Sequence, residues 1–131
     1  MRTIFTTLIS IFVFGAFAQT QAQTNQEVKL LINKQKIVTK DKLTIKFVSL
    51  VEDSRCPTDT NCIWAGNAKI TIKVSKGKSA AKTFEINTNL EPQIVTFADY
   101  EIRLKNLTPS PATNIRINRN GYAATFIVSK T

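Results

Sequence analysis

The sequence predicts an all-β protein, a small antiparallel β-sandwich of seven or eight strands. Three observations lead to this prediction: apolar and polar residues alternate in several short runs, helical periodicity is nearly absent, and turn residues separate the runs. An immunoglobulin-like sandwich is the first expectation, and a closed β-barrel is the second. The 131 residues leave room for a single domain of this kind.

Each strand is predicted from one alternating run. The alternation is cleanest from Ala68 to Val74, where every second residue is apolar. In an earlier run Val48 breaks the alternation, which predicts a β-bulge or a strand that changes sheets. The predicted strands cover residues 28–32, 43–48, 68–74, 84–86, 94–97, 100–104, 115–117 and 122–128.

Two turns are expected to fix the pairing of the strands that they join. Asn120-Gly121 is typical of a type I′ hairpin, which would pair residues 115–117 with 122–126. A three-residue loop at residues 77–79 would place Ile72 opposite Phe84 and keep the apolar residues of both strands on one face.

The first residues are predicted to be a secretory signal peptide covering residues 1–22. Arg2 precedes an apolar run that ends at Phe17, and small residues favour cleavage after Ala18 or Ala22. The apolar run is short for a membrane span. We therefore expect a single domain over residues 23–131, exported to the periplasm or outside the cell, with no membrane span after cleavage.

The two cysteines, Cys56 and Cys62, are predicted to form a disulfide. An isolated pair in an exported chain is normally oxidised. The spacing does not fit a redox Cys-x-x-Cys motif, and further sulfur or imidazole ligands for a metal are lacking. The chain has no histidine, which excludes any mechanism or zinc site that depends on imidazole. We expect neither a metal nor a cofactor.

Residues 53–68, DSRCPTDTNCIWAGNA, interrupt the strand pattern and contain both cysteines and the single tryptophan. This segment resembles a family of small exported bacterial proteins with a Cys-Pro-x4-Cys-x-Trp-Ala-Gly-x-Ala segment. The resemblance extends loosely to YEIRLKNLTPSP at residues 100–111. It implies an exported all-β domain. Because the family is functionally uncharacterised, it assigns no active site.

The same segment allows a structural and a functional interpretation. In the structural one, Trp64 packs over the disulfide and caps one end of the sandwich, Gly66 supplies a turn conformation, and Pro57 stiffens the loop. In the functional one, the disulfide presents a rigid recognition surface, since Arg and Trp are frequent at binding hot spots. The residues of that surface would be Asp53, Arg55, Asp59, Trp64 and Asn67.

Catalysis and calcium binding find little support in the sequence. Carboxylates occur near one another at Glu52 and Asp53 and at Asp99 and Glu101, and singly at Glu91, but no spacing rule marks any of them as a catalytic pair. Glu52, Asp53, Asp59 and Asn61 bring oxygen ligands close together along the chain, but they lack the Asp-x-Asp-x-Asp-Gly pattern of a calcium loop. We therefore expect no catalytic residues.

The net charge of +9 has two interpretations, a field that attracts acidic partners and, more commonly, a solvated basic surface that aids solubility. Nucleic acid is not expected, because the basic residues are not interleaved with exposed aromatic residues or placed on a recognition helix. The sequence thus predicts an exported, non-catalytic protein that binds an envelope or extracellular protein or an anionic polymer, with inhibition of a hydrolase as one form. The alternatives are a carboxylate-dependent hydrolase and a purely structural envelope component.

Overall fold

The computed structural model describes residues 13–16 and 25–131. Eight β-strands lie within the second of these ranges. Most of the predicted signal peptide therefore lies outside the described residues. No helix occurs in these two ranges, and so none there could cross a membrane. The strands are β1 (Gln26–Leu31), β2 (Gln35–Ile37), β3 (Leu43–Asp53), β4 (Ala68–Lys76), β5 (Lys82–Asn87), β6 (Ile94–Phe97), β7 (Tyr100–Thr108) and β8 (Ala123–Lys130).

The strands form two four-stranded antiparallel sheets, which confirms the predicted β-sandwich. One sheet has the order β1-β8-β7-β6 and the other the order β2-β3-β4-β5. The sheets do not close into a barrel. Consecutive strands are neighbours in each sheet, and β1 is added beside β8. These connections form a meander, and they differ from the Greek-key connections of immunoglobulin domains.

Alternate residues of the strands fill the space between the sheets, as the sequence pattern predicts. In β3, Leu43, Ile45 and Phe47 are fully buried, and Phe126 of the other sheet is fully buried as well. Burying a side chain of this size stabilises the fold by about 1.5–3 kcal/mol. The fully buried side chains are Val28, Leu43, Ile45, Phe47, Ile70, Ile72, Val74, Ile86, Ile102, Leu107, Phe126 and Val128.

A β-bulge in β3 confirms the interpretation of Val48. The pairing with β4 shifts between Phe47 and Ser49, so that Leu50 lies opposite Ile70. The extra residue changes which face the following side chains point to, and Leu50 therefore packs against the core although it is three positions after Phe47.

One predicted hairpin register is confirmed, that of β4 and β5. The pairing joins Ile72 to Phe84, and the turn between the strands begins at Gly77, whose φ is +56°. A positive φ is costly for any residue with a Cβ, and glycine therefore suits the position.

The predicted hairpin at Asn120-Gly121 is wrong, and residues 115–117 do not form a strand. The turn lies one residue earlier, because the Gly121 N–H donates to the Asn118 carbonyl (2.8 Å). Strand β8 has β1 on one side and β7 on the other, which leaves no free edge for a further strand. The eighth strand is instead β2, whose three exposed residues gave no alternating signal.

The connections separate the sandwich into two unlike ends. Residues 54–67, 88–93 and 109–122 meet at one end, called the loop end below. Tight turns join the strands at the opposite end, called the turn end, where β1 also begins and β8 finishes. The loop end carries the segment that the sequence singled out.

Candidate functional site

The disulfide segment is an extension of the β3–β4 hairpin. The Ser54 N–H donates to the Asn67 carbonyl (2.7 Å), and the Cys56 N–H donates to the Ala65 carbonyl (2.9 Å). Antiparallel pairing thus continues past both strands to the disulfide. This bond joins Cys56 to Cys62, whose Cα atoms are 5.9 Å apart, and the predicted disulfide is therefore confirmed. Residues 57–64 form the tip of this extended hairpin.

Gly66 allows the two sides of the hairpin to approach each other. Its φ is +75°, and a Cβ atom built there would lie 2.0 Å from the Ser54 carbonyl oxygen. Any side chain would therefore clash with the facing backbone. The predicted structural role of Gly66 is confirmed.

An internal ion pair fixes one side of the hairpin. The Arg55 guanidinium donates from Nε and from Nη2 to the two carboxylate oxygens of Asp53, both at 2.8 Å. It also donates to the carbonyls of Leu107 (2.6 Å) and Pro109 (2.9 Å). Both side chains are nearly buried, at 13% and 10% exposed. Arg55 therefore joins the hairpin to the end of β7.

Tyr122 completes this cluster, which we call the Arg55 clamp (Asp53, Arg55 and Tyr122). Its hydroxyl donates to Asp53 Oδ2 (2.9 Å). Burial by itself would raise the pKa of Asp53, but the hydrogen bonds from Arg55 and Tyr122 and the Arg55 charge outweigh it, so the pKa lies below its usual value. Burial and the neighbouring carboxylate raise the pKa of Tyr122. The cluster therefore holds an ionised Asp53 beside a neutral tyrosine.

Asn67 fixes the other side of the hairpin. Its side chain is completely buried and donates to the side-chain oxygen of Asn87 (2.9 Å). Its own side-chain oxygen accepts the N–H groups of Asn89 and Leu90, both at 3.0 Å. Because buried polar groups are costly when unpaired, this network holds residues 88–93 against the hairpin.

The disulfide loop also contacts the segment after β7. The Thr58 N–H donates to the Pro111 carbonyl (2.9 Å), and the Thr113 N–H donates to Asp59 (3.0 Å). The Thr113 hydroxyl donates to the same carboxylate, and these hydrogen bonds lower the pKa of Asp59. All three loops of the loop end are therefore linked through the hairpin.

Trp64 does not belong to the buried core, whereas the structural interpretation expects it to cap one end of the sandwich. Its side chain is 54% exposed, and Ile63 beside it is fully exposed. The clamp and the Asn67 network hold the hairpin below the tip, whereas residues 58–64 of the tip are exposed. The structure therefore separates the predicted recognition residues: Asp53, Arg55 and Asn67 face inwards, whereas Trp64 is presented to solvent.

Exposed apolar side chains concentrate at the loop end. Within residues 25–131, eight large apolar side chains are exposed, and six of them lie at or beside the loop end. Ile37 lies towards the turn end, and Ile94 is opposite Arg103 near the middle of β7. Single exposed apolar residues are common on protein surfaces, but their concentration at one end is typical of an interaction surface. The six at the loop end are Leu31, Val51, Ile63, Trp64, Leu90 and Ile115.

The sequence interpretation missed Ile63 and Tyr122. Ile63 follows Cys62 directly, and a β-branched residue in such a position reads equally well as part of a strand. The signal for Tyr122 was an aromatic ring with a polar tip next to the turn at Asn118. Alternation places Tyr122 in a strand, and nothing local in the sequence connects it with the Asp53 carboxylate 69 positions away.

The residues considered for calcium or catalysis are not brought together. Asp53 is occupied by Arg55, and Asp59 is occupied by Thr113. In the described ranges no group of three or more Asp, Glu, His or Cys side chains is placed to hold a metal ion. Glu91 lies in the loop at residues 88–93, and Asp99 and Glu101 lie at the turn end.

Comparison with known proteins gives no further assignment of these residues. The chain matches no protein-family model, no curated protein and no solved structure. The resemblance of residues 53–68 to small exported bacterial proteins therefore stays a prediction.

Proposed function

We propose that the protein is an exported, non-catalytic binding module that holds a partner protein at its loop end. The observation on which this rests is the exposed pair Ile63–Trp64 at the tip of a hairpin whose lower part is fixed. Tryptophan is the residue type most enriched at binding hot spots, and a rigid support lowers the entropy that is lost on binding. The disulfide is compatible with an exported protein.

The expected partner surface is a concave apolar site in an extracellular or envelope protein. An exposed pair of apolar side chains at a hairpin tip is suited to a cleft, and the active-site cleft of a hydrolase is one such site. Inhibition of a secreted hydrolase is thus the most specific form of this proposal.

Trp64 supplies its own reporter, because it is the only tryptophan in the chain. In the free protein we expect its fluorescence to be readily quenched by iodide, since the ring is half exposed. Binding of a partner should shift the emission to shorter wavelength and reduce the quenching. A ring that iodide does not reach in the free protein would contradict the proposed surface.

A pair of variants tests whether the tip is the contact. Trp64→Ala should change the free energy of unfolding by less than about 1 kcal/mol, because the ring lies outside the core. It should abolish capture of partner proteins from the envelope fraction or culture medium. The matched control is Ile37→Ala, which removes an equally exposed apolar side chain at the turn end.

The captured partner then decides the form of the function. Loss of capture with Trp64→Ala but not with Ile37→Ala supports the proposal, and inhibition of the captured enzyme would identify a hydrolase inhibitor. Equal capture by all three proteins would contradict the tip as the binding site. Turnover of a substrate by the purified protein would favour the alternative, a carboxylate-dependent hydrolase. Absence of any partner would favour a structural envelope component.

A further inference from the structure

A second surface, separate from the loop end, lies on the outer face of the β2-β3-β4-β5 sheet. A shallow groove of about 290 Å³ runs across strands β2, β3 and β4 next to the turn at residues 77–81. The lining consists almost entirely of lysine, hydroxyl and amide groups. Its polar residues are Gln35, Thr44, Lys46, Lys73, Ser75 and Ser79.

Two lysines face each other across this groove. Lys46 of β3 and Lys73 of β4 are directly opposite in the antiparallel pairing. Side chains in this position are close, and like charges there destabilise a sheet. Among the described residues neither lysine forms a salt bridge. The nearest carboxylate in the pairing is Glu85, two residues along β5 from the partner of Lys73.

A pair of positive charges without a neighbouring counterion is a suitable site for an anion. An anionic group between the two ammonium groups would turn the repulsion into two attractions. Lysine acts as a point charge with three hydrogen-bond donors. It can therefore bind sulfate, phosphate or carboxylate oxygens in more than one geometry.

The rest of the lining favours a sugar as the carrier of that anion. Gln35 lies opposite Lys46 in the β2–β3 pairing, and Thr44 lies opposite Ser75 in the neighbouring β3–β4 row. Amide and hydroxyl groups both donate and accept hydrogen bonds, as sugar hydroxyls require. The lining holds no aromatic ring on which a nucleic-acid base could stack.

We infer that this groove binds an acidic polysaccharide, with one sulfate or carboxylate group between Lys46 and Lys73. The neighbouring sugar hydroxyls meet Gln35, Thr44 and Ser75. The chain's net charge of +9 attracts such a polymer over a longer distance. Because the groove lies on a sheet face and the Ile63–Trp64 tip lies at the loop end, this inference does not depend on the proposed protein partner.

The test is calorimetric titration of the folded protein with three defined polymers. Dextran sulfate and polygalacturonate present sulfate and carboxylate groups, and uncharged dextran is the control polymer. The double variant Lys46→Gln/Lys73→Gln removes the facing lysines. The matched control Lys29→Gln/Arg103→Gln removes two positive charges from exposed, outward positions of the other sheet.

We expect the groove variant to bind at least one acidic polymer about tenfold more weakly, whereas the control variant weakens binding less than about threefold. Dextran should not bind. Preference for sulfate or for carboxylate identifies the group between the lysines. Thermal unfolding checks the fold of each variant, and loss of the like-charge pair should not lower the unfolding temperature. The single variant Lys73→Gln serves if the double variant does not fold.

Three results would overturn the inference. Equal weakening by the two double variants would mean that the whole surface charge attracts the polymer. Failure of both acidic polymers to bind would remove the site. Binding of a single-stranded DNA of comparable length and charge as tightly as the acidic polysaccharides would show that the sugar chemistry is not read.

Discussion

The most informative residue of the candidate site is Arg55, because its charged group binds partners inside the protein and does not face solvent. Its guanidinium contacts a carboxylate two residues away and two backbone carbonyls more than fifty residues away. The planar fork of arginine can satisfy these acceptors together, which lysine cannot do. The residue that resembles a binding hot spot in the sequence therefore supports the hairpin from inside and does not belong to the proposed binding surface.

Removal of Arg55 should destabilise the fold. We expect Arg55→Ala to lower the free energy of unfolding by about 3 kcal/mol, because it leaves Asp53 and two carbonyls unpaired in a nearly buried position. Arg55→Lys should cost less, about 1–2 kcal/mol, since the charge remains but the fork is lost. Urea unfolding measures both values. The exposed Arg116→Ala is the control, with an expected change within about 0.5 kcal/mol.

A loss below about 1 kcal/mol for Arg55→Ala would mean that the clamp does not hold the hairpin. Arg55 would then again be a candidate for contact with a partner protein. The same result would also weaken the case for a rigid tip.

At the scale of the element, the extended β3–β4 hairpin depends on the close approach of its two strands at Gly66. Two glycines of positive φ differ in their surroundings, and substituting each of them therefore distinguishes backbone strain from steric clash. Gly66 faces the Ser54 backbone, whereas a Cβ at Gly77 would meet nothing within 4 Å. The first position combines backbone strain with a steric clash, and the second carries the strain alone.

We expect Gly77→Ala to destabilise the protein by about 1–2 kcal/mol, the cost of the left-handed conformation for a residue with a Cβ. Gly66→Ala should cost clearly more, because the facing strands must also move apart. Urea unfolding of the two variants gives the comparison. Similar losses for both would contradict the close approach at Gly66. Iodide quenching of Trp64 in Gly66→Ala would show whether the tip also becomes disordered.

At the scale of the whole molecule, internal carboxylates connect stability to pH. Asp53 links the β3–β4 hairpin to Arg55 and Tyr122, and its pKa is lowered in the folded protein. A lowered pKa means that the unfolded chain binds a proton more readily than the folded chain. The stabilisation by Asp53 is therefore complete above the unfolded-state pKa of about 3.9 and is lost as the pH falls through the lower folded-state pKa.

Thermal unfolding from pH 7 down to pH 2.5 should show this dependence. We expect the unfolding temperature of the wild type to fall on the acid side, and that of Asp53→Asn to be lower at neutral pH but to change less with acidification. Tyr122→Phe removes one of the hydrogen bonds that lower the pKa and should give an intermediate profile. Parallel curves for wild type and Asp53→Asn would show that this carboxylate is not the source.

Much of the fold could be predicted because it depends on local patterns. Alternation located seven of the eight strands, and the break at Val48 located a bulge, since each signal is complete within a few residues. The pattern at Ile115–Ile117 is equally local, but it failed because β8 was already paired on both sides. Local periodicity cannot show whether a partner strand has a free edge.

The candidate site could be predicted only in part for the same reason. The disulfide and Gly66 follow from neighbouring residues. The direction of Arg55 depends on the carbonyls of Leu107 and Pro109, and the exposure of Trp64 depends on which distant residues pack against the hairpin. These are long-range properties. The sequence of the segment that contains Arg55 and Trp64 does not show which of the two side chains points into the protein and which points to solvent.

The position of β1 also has a mechanical consequence. β1 lies antiparallel beside β8, with Gln26 opposite Val128, and the N–H of Thr131 donates to the Asp99 carbonyl at the same end of the sandwich. A force that pulls Asn25 away from Thr131 would therefore break the β1–β8 hydrogen bonds one pair at a time, as a zipper opens. The rupture would travel from Gln26 towards Leu31, and therefore from the turn end towards the loop end.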